Sequence, residues 1–228
     1  MKLFVIPEMT KLLAATGYIG GGLTVEVINL DDSNPNLICD NLPNLPFGRF
    51  GSVGYLFRGT PIICGGQGER RCNSFESGTW KSMPSTNEER FFPVSTVLSP
   101  TSNEKDDIIL IAGSYNGVST AESFDGFNWN QTKFSNLPGP ISINCVAKIN
   151  STTMMSIGGS KYDLSSKYTG ETNFFNVIQN KWVAGPQLTI PRVFHACAVM
   201  NWRNATSGNI EKVIVVAGTT VYRLLSKR

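Results

Sequence analysis

Charge is what this sequence has least of. Only 16% of its residues are Asp, Glu, Lys or Arg, against about 25% in an average soluble domain. Asn, Ser, Thr and Gly take their place, a composition suited to short strands joined by polar turns. The basic residues are scattered, and the only clusters are Arg70-Arg71 beside Glu69 and the terminal Lys227-Arg228. A nucleic-acid binder concentrates Lys and Arg on one face, so, with a net charge of +3, it is the scatter of the basic residues that argues against a nucleic-acid partner. There is no run of 18 apolar residues, which predicts no membrane-spanning helix. The apolar start, Leu3 to Ile6, ends at Pro7-Glu8. It is too short for the h-region of a signal peptide and predicts either ordinary structure or a truncated start.

Histidine is almost missing: His195 is the single copy. Any Ser-His-Asp or Cys-His hydrolytic arrangement would have to use it, and a catalytic zinc site takes several imidazoles, or Cys with His. There are five cysteines, Cys39, Cys64, Cys72, Cys145 and Cys197, with no zinc spacing. The odd number leaves at least one free or paired with another chain. No metal and no cofactor is expected.

Against these shortages stands a repeat. Paired small residues end a β-rich run at Gly21-Gly22, Gly65-Gly66, Ala112-Gly113, Gly158-Gly159 and Ala217-Gly218, spaced by 44, 47, 46 and 59 residues. The first three spacings match the four-strand unit of propellers. The surplus in the fourth falls in the polar stretch Asn201 to Asn209. The last four pairs follow apolar runs such as Ile108-Ile-Leu-Ile111, the pattern of strands buried on both faces. About ten residues after three of the pairs comes an aromatic with a polar neighbour: Phe75-Glu76, Phe124-Asp125 and Phe175-Asn176. A tryptophan follows at Trp80, Trp129 and Trp182, then a proline at Pro84, Pro138 and Pro186. This reads as strand, tight turn, strand. The next strand begins near Arg49, Arg90 and Arg192 and runs through a small residue: Gly54, Ser95, Cys145 and Cys197. The first unit lacks the tryptophan.

In these in-phase copies the chain, from about Leu12 to Leu225, resembles the Kelch repeat family. The resemblance implies an all-β, Kelch-type β-propeller of four-stranded antiparallel blades. The whole chain, 1–228, is read as one domain of about five blades, with units at about 12–57, 58–98, 107–149, 152–202 and 210–228. The ring either closes, with Lys2–Ile6 completing the last blade or beginning the first, or is incomplete and leaves strand edges exposed. The low-charge, Asn-rich character is similar to secreted Kelch proteins of invertebrates and favours an extracellular over a cytoplasmic location. Kelch-like propellers that host copper chemistry use histidine and tyrosine ligands, which a single histidine argues against. The iron-dependent ones use a Glu, an Asp and a His at set spacing, a run not found in this sequence.

The resemblance further implies that the loops leaving the small pair and those entering the innermost strand share one face, which usually binds a protein. The expected function is therefore a non-enzymatic protein–protein interaction module. An extracellular glycan-binding module is the alternative, and a propeller enzyme the third. The candidate partner-binding residues are Gln67, Arg70, Tyr115, Asn116, Lys161 and Tyr162 after the small pairs, and Arg49, Arg90 and Arg192 in the entering loops. Tyr and Arg suit hot-spot roles, while a purely structural role, pinning the turn between blades, competes for each arginine.

Other features carry milder expectations. Cys64 and Cys72 flank a hairpin turn, and a disulfide and two buried thiols stand as equal readings. Cys145 and Cys197 share the aligned small-residue position, which favours buried free thiols. The acidic pairs Asp31-Asp32 and Asp106-Asp107 read as solvated turns. Sequons occur at Asn130, Asn150 and Asn204. Three is about the number chance supplies in an Asn-rich chain, so they permit a secreted protein without arguing for one.

Overall fold

The computed structural model describes residues 2–6, 11–15, 23–29, 40–161, 168–203 and 208–220. It is all-β, with one 3-10 turn at Glu104–Asp106 and no α-helix among the described residues. Among the described residues no helix is long and apolar enough to cross a membrane. The first sheet holds β1 (Lys2–Ile6), β2 (Lys11–Ala15), β3 (Val25–Asn29) and β4 (Asp40–Asn41). The second holds β5 (Val53–Phe57), β6 (Thr60–Cys64), β7 (Cys72–Glu76) and β8 (Thr79–Met83), and the third β9 (Val94–Leu98), β10 (Ile108–Ala112), β11 (Ala121–Phe124) and β12 (Trp129–Asn130). After a short strand β13 (Ile141–Ser142) the fourth sheet opens with β14 (Cys145–Lys148) and β15 (Thr153–Ile157). Strand β16 (Ser160–Lys161) returns to pair with β13, and β17 (Thr172–Asn176) and β18 (Lys181–Ala184) finish the sheet. A long hairpin, β19 (Arg192–Arg203) and β20 (Ile210–Thr220), ends the described chain.

All four sheets are antiparallel meanders with strands paired in chain order. The leading strands β1, β5, β9, β14 and β19 lie side by side in that order. This is a propeller-like architecture. Lys2–Ile6 begins the first sheet by pairing with Lys11–Ala15.

Sheet stacking explains the apolar runs. Ile109 and Ile111 of β10 pack toward the second sheet, against Val53, Tyr55 and Phe57. Their neighbours Ile108 and Leu110 pack toward the fourth, with Met154 and Phe175. Successive side chains on a strand point to opposite faces, so a strand covered on both sides must be apolar throughout. Val25, Leu45 and Ile63 fill the layer between the first and second sheets. Ala147, Met155 and Ile157 meet Val199, Ile214 and Val216 of the hairpin. On the hairpin's other face, Met200, Trp202 and Val215 are exposed.

The repeated aromatics are direct cross-strand partners: Phe75 opposite Trp80, Phe124 opposite Trp129 and Phe175 opposite Trp182. Their ring centroids lie 5.1, 5.2 and 4.8 Å apart, in the range where aromatic pairs attract beyond their area. The polar residue after Phe shapes the turn. Asp125 Oδ1 accepts from the Phe127 and Asn128 N–H groups, and Asn176 Oδ1 from those of Ile178 and Gln179, as Asx turns require. Each tryptophan then ties its sheet to the segment leaving the previous one. Trp80 Nε1 donates to the Pro43 carbonyl at 2.8 Å, Trp129 to Pro84 at 3.0 Å and Trp182 to Ser135 at 3.0 Å.

The small pair has an equally local cause. A Cβ on Gly65, at φ +68°, would stand 2.5 Å from the Arg90 carbonyl oxygen. The next N–H, of Gly66, donates to that same oxygen at 2.9 Å. The pair is small because the loop entering the next sheet lies directly on it.

Candidate functional site

One end of the sheet stack is formed by the segments that enter the innermost strands and those that leave the second strands. There, equivalent residues of successive sheets adopt a left-handed backbone: Gly51 (φ 68°), Phe92 (φ 51°), Ile143 (φ 53°) and Phe194 (φ 48°). Glycine tolerates this conformation, while an aromatic or β-branched residue is strained in it by about 1–3 kcal/mol. A chain of backbone hydrogen bonds holds the strained residues. Phe92 N–H donates to the Gly51 carbonyl at 2.8 Å, Ile143 N–H to Phe92 at 3.1 Å, and Phe194 N–H to Ile143 at 3.4 Å. Each left-handed residue is thus tied to its counterpart one sheet earlier.

Phe92, Ile143 and Phe194 line a cavity of about 310 Å³, walled also by Phe50, Phe91, Tyr115, Ser160 and Tyr168. The rings form a continuous array. Phe91 and Phe92 lie 4.5 Å apart, Phe50 and Phe92 5.1 Å, and Phe91–Tyr115 and Phe92–Phe194 5.6 Å in edge-to-face contact. Phe194 is 61% and Tyr115 43% exposed, so the cup opens to solvent. Its lining is largely aromatic, and Tyr115, Tyr168 and Ser160 are its hydroxyl-bearing residues. Among the described residues no group of His, Cys, Asp and Glu is arranged to hold a metal ion.

The repeated arginines lie beneath this surface. Arg90 is fully buried, with Nε on Glu122 Oε1 at 2.8 Å and Nη1 on the Thr120 carbonyl at 2.9 Å. Arg49 is also buried and donates to the Arg71 carbonyl, Asn73 Oδ1 and other acceptors around β6 and β7. Burial lowers its guanidinium to about 10, with Glu69 opposing the shift. Arg192 is half-buried and donates to the Gly218 carbonyl at 3.0 Å. Arg49 and Arg90, expected as partner-binding residues, are therefore corrected to internal braces. A forked guanidinium satisfies several acceptors at once, and the loop leaving the second strand and the third strand of the same sheet supply most of them.

The remaining candidates divide. Gln67, Arg70, Tyr115 and Asn116 are exposed on this end, but only Tyr115 lines the cup. Lys161 is half-buried and ion-paired with Glu171. Tyr162 lies outside the described residues. His195 points inward against Gly158. Burial holds its imidazole below the usual histidine range, with Arg192 adding to the effect and the Ile157 carbonyl opposing it.

No family model matches the chain, and no curated protein does. Among solved structures it is similar to one titled "Structure of YjhT", with a TM-score of 0.65 at 12% identity. The match covers 83% of this chain and 66% of that one, so the chain spans just under two thirds of that protein's length. At this identity the likeness is one of fold.

The cysteines form two disulfides, of which Cys64–Cys72 is one of the two readings expected for that pair. Cys64 and Cys72, register partners on β6 and β7, are joined in a disulfide. So are Cys145 and Cys197, with Cα atoms 5.9 Å apart, which corrects the expectation of buried free thiols. The two do not share one position. Counted from the left-handed residue, Cys197 is three residues on, like Gly54 and Ser95, and Cys145 only two. A shift of one residue turns a strand side chain to the other face, and on adjacent innermost strands the two sulfurs meet. Both cysteines are half-exposed.

The cup-lining residues Phe50, Phe91, Phe92, Ile143 and Phe194 were missed as candidates. Their signal was present: each stands one or two residues after a repeat arginine, or at the matching place in the unit that lacks one.

Proposed function

We propose that this chain is a Kelch-type β-propeller of about five blades that works as a non-enzymatic interaction module. It binds a protein partner at the aromatic cup. The in-phase Gly-Gly, Phe–Trp and Arg features support the Kelch reading, and the four four-stranded sheets with a further hairpin support the count. The observation that carries the binding role is the repeated strain. Three equivalent loops hold bulky residues in a left-handed conformation, and all three present them to one open cavity. The cup has room for a Leu, Phe or Trp anchor, the kind of buried side chain that dominates protein interfaces. Gln67, Arg70 and Asn116 are exposed on the same end of the stack.

The test is selection of a random displayed-peptide library on the wild-type chain, with counter-screening on Phe194→Ala and Tyr115→Ala. Recovered peptides are expected to share an apolar anchor and to lose at least tenfold in affinity on either variant. Peptides that bind both variants equally, or no enrichment at all, would remove the cup as the site. Signal from a glycan array that depends on the same residues would replace the protein partner with a sugar.

A further inference from the structure

Two of the three sequons share one geometry. Asn130 Oδ1 accepts from the Thr132 N–H at 2.9 Å and from Thr132 Oγ1 at 3.2 Å. Asn150 Oδ1 accepts from the Thr152 N–H at 2.9 Å and from Thr152 Oγ1 at 3.1 Å. In both, the carboxamide oxygen is engaged by the threonine two residues on, and Nδ2 makes no hydrogen bond among the described residues. Both asparagines are exposed. Asn130 ends the outermost strand of the third sheet, and Asn150 sits in the turn between β14 and β15, at the end of the stack opposite the cup. Asn204 lies outside the described residues.

An independent feature concerns the compartment. Two disulfides join four of the five cysteines, and such bonds persist where the surroundings are oxidising. That is also where Asn-X-Thr acceptors meet their glycosyl donor.

We infer that Asn130 and Asn150 are N-glycan acceptor sites of a chain that matures in an oxidising secretory compartment. The transfer takes an oligosaccharide from a lipid pyrophosphate carrier. The bond from sugar C1 to Asn Nδ2 forms and the bond from C1 to the pyrophosphate oxygen breaks. Its electron pair leaves with the lipid pyrophosphate, and the proton lost by Nδ2 passes to the transferase's base. Glycans at these positions would cover the outer edge and the far end of the stack and leave the cup open.

The test is to express the full chain behind a cleavable secretory leader in cultured animal cells. Peptide N-glycosidase digestion in heavy-oxygen water then converts each glycosylated Asn to a labelled Asp. Label is expected at Asn130 and Asn150, with Cys64–Cys72 and Cys145–Cys197 intact in the same material. Thr132→Ala and Thr152→Ala should each abolish label at their own site, and Thr132→Ser and Thr152→Ser should keep it. Transfer takes place in the lumen, so cell-retained protein gives the same reading if a variant folds poorly. Disulfide-bonded protein carrying unmodified Asn at both positions would overturn the inference, and label at one position alone overturns it for the other.

Discussion

The indole N–H of Trp129 donates to the carbonyl of Pro84, 3.0 Å away, across the boundary between the third and second sheets. The same ring lies against Phe124 on its own sheet. One side chain thus closes a sheet and locks it to its neighbour. Trp129→Phe keeps the ring pair and removes the donor, at an expected cost of about 1 kcal/mol. Trp129→Ala removes both, at about 3–5 kcal/mol. Urea denaturation of the two variants separates the terms: an undiminished stability in Trp129→Phe would show that the inter-sheet bond contributes nothing, and equal losses in the two variants that the ring pair contributes nothing.

The Cys145–Cys197 disulfide joins the innermost strand of the fourth sheet to the terminal hairpin. Closing a loop of 52 residues stabilises by about 4 kcal/mol in the chain-entropy account. In Cys145→Ser/Cys197→Ser the hairpin should loosen before the rest. Amide exchange in Ile210–Val216 should accelerate more than in Ile108–Ala112. Uniform acceleration would mean the sheets unfold as one unit.

Arg90 and Glu122 form an ion pair with both side chains fully buried. Removing one partner strands the other charge, so Glu122→Leu alone should cost about 3–5 kcal/mol. Arg90→Met/Glu122→Leu should recover much of that loss. A double mutant as unstable as the single would show that the carbonyl contacts of Arg90, and not the charge pairing, are what the fold needs.

His195 supplies a pH dependence with a definite sign. Its folded-state pKa lies below the usual 6.5 because burial disfavours the cation. As pH falls below about 6.5 the unfolded chain binds a proton that the fold resists, so stability is lost on acidification. It is the only histidine, and the carboxyls held low, Asp125 by the Asn128 N–H and Glu69 by Arg71, titrate at lower pH. Melting temperatures of wild type and His195→Gln should diverge in slope between about pH 5 and 6.5, the variant being flatter. Parallel curves would exclude this origin.

The sequence by itself determined the repeat. Apolar runs, small pairs, Phe–Trp steps and arginines are local patterns, and the structure shows a local cause for each: two-sided burial, backbone approach, cross-strand pairing and carbonyl bracing. Tertiary structure decided the rest. Which arginines face solvent depends on where the next loop lies, so Arg49 and Arg90 could not be separated from surface residues by spacing. The pairing of Cys145 with Cys197 turned on a one-residue offset that reverses a side chain's direction and that the small-residue alignment concealed. The cup is built from residues about 40–50 positions apart that meet only through hydrogen bonds from sheet to sheet. Their left-handed backbone has no signature in Phe or Ile, because neither residue prefers it and only the surrounding fold holds them there.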